Sequence, residues 1–421
     1  LIIETIDRHR EEILEFARDI YSHAELGYKE FQTSGKFVKK MEQLGLRTEK
    51  GFAITGVKAY LNEDKKENAS LALLGELDAL CIPEHAFANP ETNAAHCCGH
   101  HAQMAGVFGA ALALTVPEIA EKLDGQVVFF ATPAEEYGEI EFKNQLREQG
   151  KIRYGGGKCE LLRIGAFDDI DLCLTHHIRP GNEILVGSGT GNGFVSKVIR
   201  VLGKASHAAG APEKGVNALS AASLGLQALG LNRETFRDED CVRVHPIITK
   251  GGNLVNVIPD EVVVETLVRG KTIEAFTDAA KKTDRSFKAG AIAMGAKVEI
   301  STLPGYLPTL AEEALPELKH AAEISASGIP VIEASGHAGG STDVGDVQHL
   351  MPVYTFNTGG VKGGLHQIDF EVTDEEEAYI VTAKMFALAA YGLLKEKAQR
   401  SRELVDQYEP VFKNSAEYVE F

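Results

Sequence analysis

The run His96–His101, which reads HCCGHH, constrains this 421-residue chain more than any other stretch. Cysteine and histidine crowd together there, just ahead of an apolar, alanine-rich segment, Ala102–Leu114, that reads as a helix. Cys98-Gly99-His100 offers a thiol and an imidazole from one tight turn, and glycine permits the bend. Thiolate and imidazole are the usual ligands of borderline metals such as zinc; imidazole also suits manganese, nickel and cobalt. Taken one at a time, these residues read equally well as small core side chains and histidines at a helix start. Further candidate ligand stretches downstream favour a metal site. A structural zinc knuckle needs a second CxxC-type pair, and the chain has none. A catalytic site with scattered ligands fits better.

A chain of this length predicts two domains rather than one core. A hydrophobic content of 44% with 25% charged residues is that of a globular protein. The net charge of −18 argues against nucleic acid, which demands a basic face, and disfavours an anionic membrane surface. Six cysteines in so long a chain do not make a disulfide framework, and adjacent Cys97 and Cys98 read as thiols of a reducing compartment. The N-terminal segment has no signal-peptide core, and no apolar run suggests a membrane span. A cytoplasmic location is the expectation. Leu1 is no initiator, so a start upstream of it is expected.

Helical spacing recurs over residues 3–21 and 31–44. Thr55–Leu61 alternates like a strand. Three short apolar runs read as buried strands: Ser70–Leu74, Gln126–Ala131 and Asp171–Thr175. Each runs into polar residues: Glu76 and Asp78, Glu135 and Glu136, His176 and His177. Open α/β sheets place their sites at the carboxyl ends of strands. Strands alternating with helices predict a mainly parallel sheet. The polar stretch Glu139–Arg153 reads as a surface insertion or lid, and Gly155-Gly156-Gly157 as a turn before a helix from Lys158, with no phosphate-loop ending.

From Gly189 the pattern changes to strand, helix, two strands at Val242–Thr249 and Glu261–Arg269, helix, and a last strand at Lys297–Thr302. That is the split βαβ plan of a ferredoxin-like α+β domain. The expected organisation is a catalytic domain over residues 1–188 and 305–421, with a lid and dimerisation domain inserted over 189–304. Thr373–Lys397 reads as a final helix, with Thr373 and Glu376 placed as a capping box.

The polar clusters suggest metal-assisted hydrolysis, which needs a Lewis acid, a bound water and a carboxylate to take its proton. Of the adjacent Glu135 and Glu136, one can bind metal while the other holds a water. His366, in the loop Gly363–His366, is a further candidate.

These stretches resemble the aminoacylase–carboxypeptidase family of dinuclear metallohydrolases, peptidase family M20. The nearest branch is similar to the aminobenzoyl-glutamate and indole-acetyl-amino-acid hydrolases. The matching pieces are GELDAL at Gly75–Leu80, CGH at Cys98–His100, PAEE at Pro133–Glu136 and HxxP at His177–Pro180. Next come GKASHAAGAP at Gly203–Pro212, NVIPDE at Asn256–Glu261, GSTDVGDV at Gly340–Val347 and GGLH at Gly363–His366. Their order is the family's, over nearly the whole chain.

The resemblance implies two divalent metal ions per chain, zinc or manganese first and nickel or cobalt next. It makes Cys98 the bridging ligand and His100, Glu136, His177 and His366 the others. Glu135 becomes the general base, forming a metal-bound hydroxide and later protonating the leaving amine. Asp78 orients a ligand. His207 steadies the oxyanion in the partner subunit's site, which implies a homodimer. Asn256 and Arg269 hold the substrate's carboxylate, though a structural salt bridge suits Arg269 equally. The implied activity is an amidohydrolase acting on N-acyl or N-aminoacyl amino acids. The alternatives are a dipeptidase or aminopeptidase of the same family, or a catalytically silent metal-binding relative. The branch usually has Asp or Asn where His101 stands, and His176 precedes the expected ligand, so either is a candidate extra metal contact.

Overall fold

The strands at Ser70–Glu76 and Gln126–Thr132 are buried at every residue. That explains why they read as unbroken apolar runs: a parallel strand covered on both faces has no wet side to alternate with. They belong to an eight-stranded sheet in this computed structural model, which describes residues 1–421. In spatial order the strands are Arg47–Phe52, Gly56–Leu61, Gln126–Thr132, Ser70–Glu76, Leu172–Ile178, Val353–Thr358, Ile184–Val186 and Val331–Glu333. The four central strands, from Gln126–Thr132 to Val353–Thr358, run parallel. The outer pairings are antiparallel, except that Val331–Glu333 lies parallel to Ile184–Val186. The chain thus has the mainly parallel α/β sheet that its alternating pattern predicts.

The helix His100–Leu114 is buried along its whole length. It packs against the amphipathic helix Arg10–Ser22, whose Ile13, Phe16 and Ile20 turn into the same core. It also packs on the long helix Thr382–Gln407. Gly109 meets Ala383 closely enough that an added Cβ would lie 2.5 Å from the alanine methyl. This long helix departs from expectation at both ends. Asp374, not Thr373, caps it: Asp374 Oδ1 accepts from the N–H groups of Glu376 and Glu377, while the Thr373 hydroxyl is engaged by Gly360 O. Beyond a kink at Lys395–Ala398 the helix continues to Gln407. By length and hydropathy the stretch Glu376–Gln407 could cross a membrane, but 78% of its apolar window is buried inside the protein, as in a core helix.

The chain divides into two compact units. The first comprises residues 1–189, 310–336 and 346–421; the second comprises 190–309 and 337–345. The short return to the second unit near residue 337 has a local cause, since His337–Ala338 pairs in parallel with Thr190–Gly191. The second unit carries an antiparallel sheet with Gly193–Leu202 between Glu261–Gly270 and Lys297–Pro304. Helices Ala218–Asn232 and Ile273–Met294 pack on each other, and Phe287 joins the sheet residues Ile199, Val262 and Val264 in one apolar cluster. The expected strand Val242–Thr249 is split into Arg243–Val244 and Ile247–Lys250, both paired with Glu261–Gly270. Pro246 lies between the halves and cannot donate to a ladder.

Candidate metal centre

Three parallel strands deliver the site to one edge of the sheet. Ser70–Glu76 leads to Asp78, and Gln126–Thr132 to Glu135 and Glu136, with Glu76 opposite Thr132 in register. The third strand runs on to Ile178, so His176 and His177 lie within it. Neighbouring side chains on a strand point to opposite faces, and this separates the two histidines. His176 is buried beside Phe356 and Phe386, with its Nε2 2.8 Å from Thr358 Oγ1. His177 turns the other way, and its Nε2 lies 3.3 Å from Cys98 Sγ.

Gly99 sits at φ +86° as the cap residue before the buried helix. An added Cβ there would come within 2.0 Å of the Ile178 side chain, so only glycine makes this turn. The turn brings Cys98 and His100 to the same centre. Two donor triads result, each with its ligand atoms within 4.8 Å of one another: Cys98–His100–His177 and Cys98–Glu136–His366. They share the Cys98 thiol. His366 Nε2 lies 3.3 Å from Cys98 Sγ and 3.1 Å from Glu136 Oε1. His366 is itself at φ +63°, and its N–H is tied to Cys97 O at 2.9 Å.

The donor set fits divalent metal. His100 Nε2 and Glu136 Oε1 are buried without a hydrogen-bond partner, although each faces other ligand atoms. Burial, reinforced by the Glu136 charge, pushes the Cys98 thiol well above its ordinary range. A thiolate there needs a cation beside it, and a coordinated thiol gives up its proton outright. Burial opposes the His100 charge, but Glu76 and Cys98 outweigh it and raise His100 well above the usual imidazole value.

Asp78 lies behind His100. His100 Nδ1 is 2.8 Å from the Asp78 carbonyl oxygen and 3.3 Å from its Oδ1, which leaves Nε2 for the centre. Asp78 Oδ2 also accepts the Glu136 N–H at 2.9 Å. Glu135 is buried, with its Oε2 3.9 Å from His100 Nε2. Ala134, just before it, is held at φ +49°. Glu30, fully buried, accepts the Ala134 N–H at 2.8 Å, and Ala134 O accepts from Gly157 N at 2.9 Å. The polar insertion contributes as well. It folds into the helix Ile140–Glu148, whose buried Lys143 donates to Glu136 O at 2.6 Å.

The other named residues are members of neither triad. His101 is fully buried, ringed by Tyr21, His96 and Tyr379, and belongs to neither triad. Burial drives its pKa down to about 3, so it stays neutral. His207 and Asn256 are exposed in the second unit and adjacent: His207 bridges Val257, and Ala208 N donates to Asn256 O at 2.9 Å. The His207 Nδ1 accepts from the Gly210 N–H at 2.9 Å, which leaves Nε2 to carry the ring proton. Arg269 lies in the strand Glu261–Gly270, with its guanidinium 5.8 Å from the Phe194 ring centre. Two charged residues carry no site role in the sequence pattern. Glu76 and Lys158 form a buried ion pair beside His100. Burial opposes the Glu76 charge, but Lys158 and His100 hold its carboxyl down at about 2. A carboxylate ending an apolar strand and a lysine following three glycines were the only signals.

An α/β sheet carrying two donor triads that share a thiol, with a further carboxylate beside them, defines a metal-dependent hydrolase. The chain matches the family model "Peptidase family M20/M25/M40" over residues 72–391 and belongs to that family. It is 27% identical over 412 residues to a Xaa-Arg dipeptidase of Mus musculus, covering 94% of this chain and 85% of the relative. It is 24% identical over 403 residues to an N-acetyl-L-cysteine deacetylase of Bacillus subtilis, covering 93% and 90%. Among solved structures, a dinuclear metal-binding M20-family peptidase from Bacillus subtilis superposes with a TM-score of 0.65 at 24% identity, over 92% of this chain and 99% of the other. An aminobenzoyl-glutamate utilization protein from Klebsiella pneumoniae gives 0.66 at 19%, over 93% and 98%. The likeness in structure is one of fold.

Proposed function

We propose that this chain hydrolyses the amide bond of N-acyl or N-aminoacyl amino acids that carry a free carboxylate. The observation that carries the reading is the Glu135 carboxylate beside two triads that share Cys98. Cys98, His100 and His177 would hold one divalent ion, and Cys98, Glu136 and His366 the other. Zinc or manganese suits this mixed thiolate, imidazole and carboxylate set. Bound ions supply Lewis acidity and make a water easier to deprotonate. Glu135 takes that water's proton as it attacks the substrate carbonyl, then returns it to the departing nitrogen. Asp78 fixes the ring of His100. His207 of the partner subunit donates from Nε2 to the oxyanion, and Asn256 and Arg269 hold the substrate's carboxylate. This assigns a homodimer built through the second unit. Six free cysteines support a reducing, cytoplasmic location.

A dipeptidase is the second reading, favoured by the match to the Mus musculus dipeptidase along 94% of this chain. It requires a group that receives a free substrate amine. The deciding experiment combines metal analysis with hydrolysis of N-acetyl amino acids and free dipeptides, before and after chelation and metal return. Two ions per chain, with N-acyl turnover lost and restored, support the proposal. Turnover of dipeptides alone selects the second reading. Metal-replete protein inactive on both panels overturns the enzymatic assignment.

A further inference from the structure

A wholly buried lysine stands behind the metal centre. Lys158 is 0% exposed, and its ammonium donates to Glu76 Oε1. Glu76 is 3% exposed. Its Oε2 accepts from Gln103 Nε2 at 2.8 Å, and its N–H donates to Gln103 Oε1 at 2.8 Å. Gln103 lies one turn after His100 on the same buried helix. Glu76 Oε2 is 3.1 Å from His100 Nε2, the ring nitrogen that faces the centre. Two ligand atoms around a tetrahedral zinc stand about 3.3 Å apart, given bonds of about 2.0–2.1 Å. Glu76 Oε2 is therefore as close to His100 Nε2 as a second ligand of the same ion would be.

Burying an ammonium and a carboxylate together costs desolvation that the pair's attraction only partly offsets. A site that merely needed filling would be as well served by apolar side chains. A catalytic metal, unlike a structural one, keeps a position open for water or substrate. A carboxylate this close would tend to close that position.

We propose that Lys158 is a positioning residue that withholds Glu76 from the metal. With Gln103 it engages both carboxylate oxygens, so that the first ion is held by Cys98, His100 and His177 and keeps its open position. The inference rests on the metal-centre reading above. It gives the GELDAL glutamate and the lysine after the triple glycine one joint task.

The test loads chelated protein with Co²⁺ and reads the stoichiometry and the visible absorption, whose intensity falls as coordination number rises. Glu76→Gln is expected to keep two ions and the wild-type spectrum, because Glu76 is no ligand. Lys158→Met frees Oε1 and lets the carboxylate turn toward the ion, so absorption per ion falls. The double variant Lys158→Met/Glu76→Gln returns to the wild-type spectrum. The inference is overturned if Glu76→Gln alone alters the spectrum or loses an ion, which would make Glu76 a ligand. It is also overturned if Lys158→Met leaves the spectrum unchanged or if the double variant does not reverse its effect. Should Lys158→Met fail to fold, the Glu76→Gln arm still decides whether the carboxylate is held outside the shell. Wild-type protein that takes up no Co²⁺ overturns the metal-centre reading itself, a different failure from either variant result.

Discussion

The Asp78 carboxylate accepts the backbone N–H of Glu136 at 2.9 Å, so one side chain fixes two donors that belong to different triads. Its other oxygen and its carbonyl face His100 Nδ1. Outer partners of this kind orient a ligand ring and set its tautomer. Replacing Asp78 with alanine should therefore weaken metal binding about 10- to 100-fold. A chelator-competition titration checks this. An unchanged dissociation constant would remove Asp78 from the site.

Glu135 makes a different prediction because it belongs to neither of the two triads that share Cys98. Glu135→Gln keeps the shape and removes the base. It should hold its metal while turnover falls about a hundred- to ten-thousand-fold, the usual contribution of a positioned acid–base group. Lost metal, with activity restored by excess ion, would recast Glu135 as a ligand.

The turn before Glu135 depends on Gly157. A Cβ there would come within 1.6 Å of Pro133 O, and no side-chain rotation relieves a backbone clash. Gly157→Ala must displace either the Pro133–Ala134 turn or the helix Gly157–Arg163. The expected cost is about 1–3 kcal/mol of stability, together with reduced kcat at full metal content. Equilibrium denaturation and single-turnover kinetics measure the two effects. Wild-type values in both would show that the turn is not braced there.

The parts of the site that sequence made legible are those where one strand end or one turn carries its own chemistry. Cys98-Gly99-His100 was readable because the ligands and the permissive glycine are contiguous. The strand ending in Glu76 was readable because both its faces are buried. Choosing His177 over His176 from sequence rested on resemblance alone. The physical reason, opposite faces of a strand, needed the strand to be seen extending through both residues. Glu30, Gln103 and Lys158 were not legible at all. Each acts through a partner far along the chain, such as Ala134 for Glu30 or Glu76 for Lys158. The split of Val242–Thr249 follows from Pro246, which has no N–H to give the ladder.

Glu30 gives the pH prediction. Its carboxyl is fully buried, and burial together with the nearby Asp78 charge pushes its pKa up to about 7. An unfolded glutamate titrates near about 4.3, so the folded state holds this proton more tightly. The stability it contributes is present below the unfolded value and is lost as pH rises through about 7. Thr55 donates to Oε2 at 2.6 Å and Ala134 to Oε1 at 2.8 Å. A glutamine can keep its oxygen on Ala134 N–H and turn its amide toward the Thr55 hydroxyl, whose oxygen also accepts. Glu30→Gln should therefore gain stability relative to wild type between pH 5 and pH 8. Urea unfolding at both values, in chelator so that metal binding does not intrude, reads the difference. Parallel profiles for the two proteins would mean that Glu30 is already ionised in the folded state at neutral pH, with its charge borne by the Ala134 and Thr55 donors alone.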